Sequence, residues 1–466
     1  MTMISKPKRF DTSFTGSSRR AAFALFGLLL LPACSKDYLT DGVVTLTTGQ
    51  EPDAWTAEPP AESVQIELVR DTRTTLAKVA APVTQVSIGT DGPENVIASF
   101  EATGFDAFGS VVMRGSTVSL GILGFSGAEV ALFMGRVGGL SRAPGDLVFP
   151  RRHPQAVVLY HGYLLISGGA NSQADLDIYD VAHWRVAPKQ APLPKVPENW
   201  AVAGAKLLLV DHDGPIWLDM STYTTSAVDV PVGLDFADVV GGATIGAPDG
   251  PQYIVGATRT TGDPTNVVVR VDPDATLHLM KLETPRLGAA ATIVNGQLLV
   301  VGGADTGAGA EVAIAAGTAF TGLPFPADAT MGAAVLAQDR TTALLVGGRD
   351  PATDELAGFR TMDLGCTEEC TRVAIAKLDF ALDRPQLFPL REGQSLLVGE
   401  APESGETRVF TFDTGIGHAL REFALRVPRT GASAFMLPNG QVGVLGGDAL
   451  SDEKPAQSVE LFFPEP

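Results

Sequence analysis

The sequence predicts an all-β protein in which most of the chain forms one closed ring of four-stranded units, with a smaller β domain ahead of it. Three observations carry that expectation. With 51 Gly and 32 Pro among 466 residues, 45% hydrophobic and only 19% charged, the composition suits a turn-rich globular β protein and argues against disorder, coiled coil or helical bundle. Apolar runs are short and bounded by turn residues, with Asn295-Gly296 and Asn439-Gly440 each set between two such runs, the strongest short hairpin signal. One pattern recurs about every 46 residues along the chain.

The N-terminus reads as an export leader. A basic stretch ending at Arg20 precedes an apolar run too short to span a bilayer, and Pro32-Ala33-Cys34 forms a small-residue end. Leu31-Pro32-Ala33-Cys34 resembles the lipobox of bacterial lipoproteins. That resemblance implies cleavage after residue 33, a lipid on Cys34 and a membrane anchor; an ordinary secretory signal with a coincidental cysteine is the alternative. Ser35 follows where an Asp would favour inner-membrane retention, which points to the outer membrane, on its periplasmic or surface face. Without the leader, net charge moves from −19 to about −23, a surface that repels phosphate backbones and excludes nucleic acid as a partner.

Residues 34–61, rich in Pro, Gly and Thr with little periodicity, read as a flexible tether. Residues 62–137 hold six short strands, including the alternating Val64-Gln65-Ile66-Glu67-Leu68-Val69, for which an immunoglobulin-like β-sandwich is the natural packing. Residues 138–466 hold the repeats.

Each clear repeat has an Arg-containing turn, an apolar strand, a turn, a second apolar strand and a glycine pair. The best example runs from Pro285-Arg286 through Ala289-Ala290-Ala291-Thr292-Ile293-Val294, Asn295-Gly296 and Leu298-Leu299-Val300-Val301 to Gly302-Gly303. Anchors at Gly168, Val210, Gly256, Gly302, Gly347, Gly399 and Gly446 are spaced by 42, 46, 46, 45, 52 and 47 residues. Seven units of four strands make a β-propeller, although three lack the glycine pair and six blades is the other count. The chain stops after the third strand of the last unit, so residues 138–147 are expected to supply the fourth and remove two exposed edges.

Once Cys34 is set aside, Cys366 and Cys370 are the two cysteines left in an exported chain, and a disulfide across a tight turn is expected. Two thiolates with no nearby His or third Cys make an incomplete metal shell. The glycine pairs, with Trp184 in a fourth-strand position, resemble the kelch family of propellers. In that family the loops after the glycine pair and before the first strand share one face and often form the ligand surface. The resemblance therefore implies ligand-face positions at Asn171, Asp211, Asp213, Asp305, Arg349, Asp350 and Asp448 in the post-glycine loops, and at Arg151, Arg152, Arg286, Arg384 and Arg429 in the loops entering the first strand. Such residues either bind charged or carboxylate groups or brace the ring by pairing between neighbouring blades.

No nucleophile elbow, phosphate loop or dinucleotide fingerprint is present, and no two of the six histidines stand at a metal-ligand spacing. The expectation is a monomeric, non-catalytic binding scaffold without metal or cofactor, its ligand a protein. A glycan-binding or sugar-modifying, mutarotase-like propeller is the alternative.

Overall fold

The computed structural model describes residues 41–466, except 90–95, 123, 160–161, 170–173, 188–191, 248, 304–308, 315–316, 378–379, 391–392, 414–419 and 453. Cys34, the candidate lipid site, lies outside the described residues, as do Asn171 and Asp305.

The N-terminal domain contains β1 (Val43–Thr47), β2 (Ser63–Val69), β3 (Arg73–Ala80), β4 (Gln85–Ser87), β5 (Val96–Phe105), β6 (Val111–Ser116), β7 (Leu120–Ile122) and β8 (Glu129–Arg136). They form one hydrogen-bonded network in the order β3-β2-β5-β6-β8-β1-β4, with β7 beside β5, rather than the two separate sheets expected of an immunoglobulin-like sandwich. The continuity comes from β5, long enough to pair with β2, β6 and β7, and from β1, which lies parallel to β8 and antiparallel to β4. Alternation along β2 buries Val64, Ile66 and Leu68 in a core shared with Val44, Leu46, Phe100 and Leu132.

For the described residues 41–61 this corrects the reading as a tether. Within that stretch β1 completes the sheet, Ala54 is buried and Trp55 packs on the domain core.

Seven four-stranded antiparallel blades follow. Their strands fall within residues 155–186, 199–227, 243–286, 290–323, 334–376, 383–423 and, for blade seven, 433–463 together with β9 (Gly139–Arg142). The second strand of each blade is buried on both faces, which is why it reads as a continuous apolar run: Leu207, Leu208, Leu209 and Val210 in blade two, Leu298, Leu299, Val300 and Val301 in blade four. Alternate residues of these strands feed opposite inter-blade cores. Leu165 of blade one packs with Trp200 and Leu207 of blade two, whereas Leu164 and Ile166 pack with Phe435 and Leu445 of blade seven. Each fully buried aliphatic side chain contributes about 1.5–3 kcal/mol relative to exposure, so these interfaces supply the main cohesion of the ring.

Ring closure follows the expected route. β9 pairs antiparallel with the last strand, Glu460–Phe463, in the register Leu140↔Phe462 and Ser141↔Leu461. The same junction ties in the N-terminal domain. Phe133 of β8 meets Phe463 edge-on at 5.4 Å and Trp184 at 5.2 Å, and Glu51 accepts from the backbone N–H and Nε of Arg142. Burial would raise the Glu51 pKa, but the hydrogen bonds and charge of Arg142 hold it below the usual carboxylate range.

Cys366 and Cys370 form the expected disulfide, with Cα atoms 5.8 Å apart, in the turn between the third and fourth strands of blade five. Cys370 is buried there, and its N–H donates to the carbonyl of Pro324 in blade four.

Candidate functional site

Three of the expected ligand-face arginines prove to be internal struts. Arg151, Arg286 and Arg429 are 0%, 1% and 0% exposed. Each stands shortly before the first strand of a blade and reaches across to the third strand of that blade. Arg151 Nε lies 3.3 Å from Asp177, with Nη1 on the carbonyl of Gly168 and Nη2 on that of Asp175. Arg286 donates to Glu311 and to the carbonyls of Gly302 and Gly309. Arg429 donates to Glu460, to the Ser458 carbonyl and hydroxyl, and to the carbonyl of Gly446.

The physical reason is the glycine pair. Its first carbonyl is buried and turned away from the sheet ladder, so it needs a donor, and the guanidinium meets it while pairing with an acid on the third strand. The Arg151–Asp177 and Arg429–Glu460 pairs lie within one blade, whereas Arg286, at the end of the fourth strand of blade three, pairs with Glu311 of blade four.

Blade five builds the strut with the charges exchanged. Asp328 stands before the first strand and Arg360 on the third; Arg360 Nη1 lies 2.8 Å from Asp328 and Nη2 donates to the carbonyl of Gly347 at 3.2 Å. A second guanidinium, Arg372, also reaches Asp328 at 3.3 Å. The two arrangements differ electrostatically. Burial raises Asp177 above the usual carboxylate range, with Arg151 opposing. Burial would likewise raise Asp328, but the charges of Arg360 and Arg372 and a hydrogen bond from Thr330 bring it below that range.

The mouth of the ring is organised by a second repeat position, one residue before the partner of the first glycine. Six blades place left-handed backbone there: His153, Gly241, Gly288, Gly332, Arg384 and Gly431, with φ of 50, 81, 69, 68, 49 and 68°. Blade two has Pro197. These residues link neighbouring blades through their backbones, as in Gly332 N–H to the carbonyl of Gly288 at 2.8 Å and His153 N–H to that of Gly431 at 2.7 Å.

Four of the six are glycine, which enters this region without steric cost, and two are not. His153 Nδ1 lies 3.1 Å from Glu400 Oε1, the two side chains being 30% and 13% exposed. Glu400 occupies the second-glycine position of blade six, so the pair joins blades one and six past the inner edge of blade seven, where Gly431 carries no side chain. Arg152 lies over that glycine: a Cβ at 431 would overlap the Arg152 stem and sit 2.8 Å from Nε.

The remaining expected positions are dispersed. Asp211 is held by Lys195 at 2.6 Å and caps the N–H of Asp213, which is exposed. Arg349 pairs with Asp354 in its own loop, and Asp350 caps Ala352. Asp448 is half-buried in a short ladder opposite Thr430. Arg152 and Arg384 are exposed, with no ion-pair or hydrogen-bond partner for either guanidinium among the described residues.

Sequence reasoning missed His153 and Glu400, as well as the strut acids Asp177, Glu311 and Glu460. The signal for the first two was available: aligned on the glycine pairs, His153 falls on Gly332 and Gly431, and Glu400 on Gly303 and Gly447. Among the described residues, no group of three His, Cys, Asp or Glu is placed to hold a metal ion. The chain matches no family model and no curated protein.

Proposed function

We propose that this protein is an envelope lipoprotein, anchored through Cys34 and resembling the kelch propellers, whose ring mouth binds a protein partner without catalysis. The observation carrying this reading is the asymmetric mouth: a closed, internally braced ring presents Arg152, Arg384 and the His153–Glu400 pair on one sector, while Arg151, Arg286 and Arg429 are buried. Rigid blades that position variable polar loops are a common basis for recognition.

The tryptophans support a protein ligand over a glycan. Trp184, Trp200 and Trp217 are buried and Trp55 packs on the N-terminal core, so no indole is left as a sugar platform. Cross-linking of the full-length protein in intact cell envelopes, set against a glycan array, tests the reading. A reproducible cross-linked partner without glycan binding is expected; glycan binding without a protein partner would overturn it. Labelling with radioactive palmitate, lost in Cys34→Ser, tests the anchor, and unchanged labelling would contradict it.

A further inference from the structure

Building on the binding-scaffold reading, we propose that the sector of the mouth formed by blades six, seven and one is a receptor for discrete carboxylate groups on an acidic peptide segment, held by Arg152 and Arg384. Three observations converge on this sector. A non-glycine residue in left-handed backbone is sterically costly, and the ring tolerates that cost at His153 and Arg384 while four other blades use glycine.

Glu400 replaces a glycine of the pair and engages His153, so the imidazole is oriented from across blade seven. Arg152 and Arg384 carry planar guanidiniums that have no partner among the described residues, the geometry that takes a carboxylate through two parallel hydrogen bonds. The Arg152 stem crosses Gly431, and Nη2 ends 4.0 Å from where a side chain at Gly405 of blade six would begin.

Asp383, exposed and facing Glu400 across the first two strands of blade six, keeps the sector from being uniformly basic. Recognition therefore depends on local bidentate pairing, which favours a discrete carboxylate over a diffuse polyanion.

The test is fluorescence polarisation of fluorescein-labelled hexaglutamate on the detergent-solubilised full-length protein, with polyphosphate and trigalacturonate as competitors. Arg152→Ala and Arg384→Ala are each expected to weaken hexaglutamate binding about tenfold or more, with the melting temperature unchanged, because a charge-assisted hydrogen bond is worth about 1.5–3 kcal/mol. Arg152→Lys should restore binding only in part, since a point charge lacks the paired donors. Undetectable hexaglutamate binding, equal affinity in the alanine variants, or displacement by polyphosphate more effective than by unlabelled peptide would overturn the proposal, as would trigalacturonate binding in place of the peptide. If the variants retain the wild-type cross-linked partner, the scaffold reading stands and this sector is not its site.

Discussion

Blade seven and blade five solve one problem with opposite charges. In blade seven the arginine precedes the first strand and the acid lies on the third; in blade five the acid precedes the first strand and the arginine lies on the third. In both, a guanidinium donates to the carbonyl of the first glycine, Gly446 in one case and Gly347 in the other. Two features are therefore required, a donor for that carbonyl and neutralisation of its charge, and the strand that provides the donor is free to change. Blade two has no arginine in this role: Lys195, before its first strand, pairs with Asp211 and donates to the carbonyl of Gly214, while Asn199 donates to the carbonyl of Gly242 and accepts from the N–H of Gly241, reaching into blade three.

The largest effect is expected from removing one half of a strut. Glu460→Leu would leave Arg429 buried and unpaired and would orphan the N–H groups of Arg426 and Val427, so a loss of about 3–5 kcal/mol is expected in urea unfolding. Arg429→Met combined with Glu460→Leu should recover a large part of it, because replacing a whole buried pair by apolar side chains is far cheaper than breaking it.

A smaller effect is expected from exchanging the charges of blade four to the polarity of blade five. Arg286→Glu and Glu311→Arg should each cost several kcal/mol, whereas the double variant should cost less than either, giving a favourable coupling in a double-mutant cycle. Additive losses would show that strand position, and not only charge balance, is essential.

The smallest effect lies in acid dependence, and its sign separates the two strut types. The depressed pKa of Asp328 contributes stability present above the ordinary value of 3.8 and lost as pH falls through the folded value. The raised pKa of Asp177 contributes in the opposite sense, its stability present below 3.8 and lost as pH rises through the folded value. The stability advantage of wild type over Asp328→Asn should therefore shrink between pH 5 and pH 2, while that over Asp177→Asn should grow. Unfolding curves across that range would check both, and parallel trends would refute the difference.

How much of this was legible in the chain depends on the range of each interaction. The blade count, the closing strand and the disulfide follow from patterns local to one hairpin or from a last unit that holds three strands of its own. The polar strand β3 was not anticipated because its exposed face lacks apolar alternation, and β1 was hidden because its partners lie 40 to 90 residues away. The arginines were found, but their burial was not, since it depends on an acid 25 to 31 residues downstream and on a carbonyl that only the folded glycine pair turns inward. His153 and Glu400 come together only when the ring closes.

On this reading the arginines ahead of the first strands divide into struts, Arg151, Arg286 and Arg429, and proposed carboxylate contacts, Arg152 and Arg384. Measuring hexaglutamate affinity and melting temperature on the same three variants, Arg152→Ala, Arg384→Ala and Arg429→Ala, tests that division directly. Binding weakened tenfold or more with unchanged melting is expected for the first two, and a melting temperature several degrees lower for the third with its folded fraction still binding. A melting loss in Arg152→Ala or Arg384→Ala matching that of Arg429→Ala, with binding intact, would contradict it.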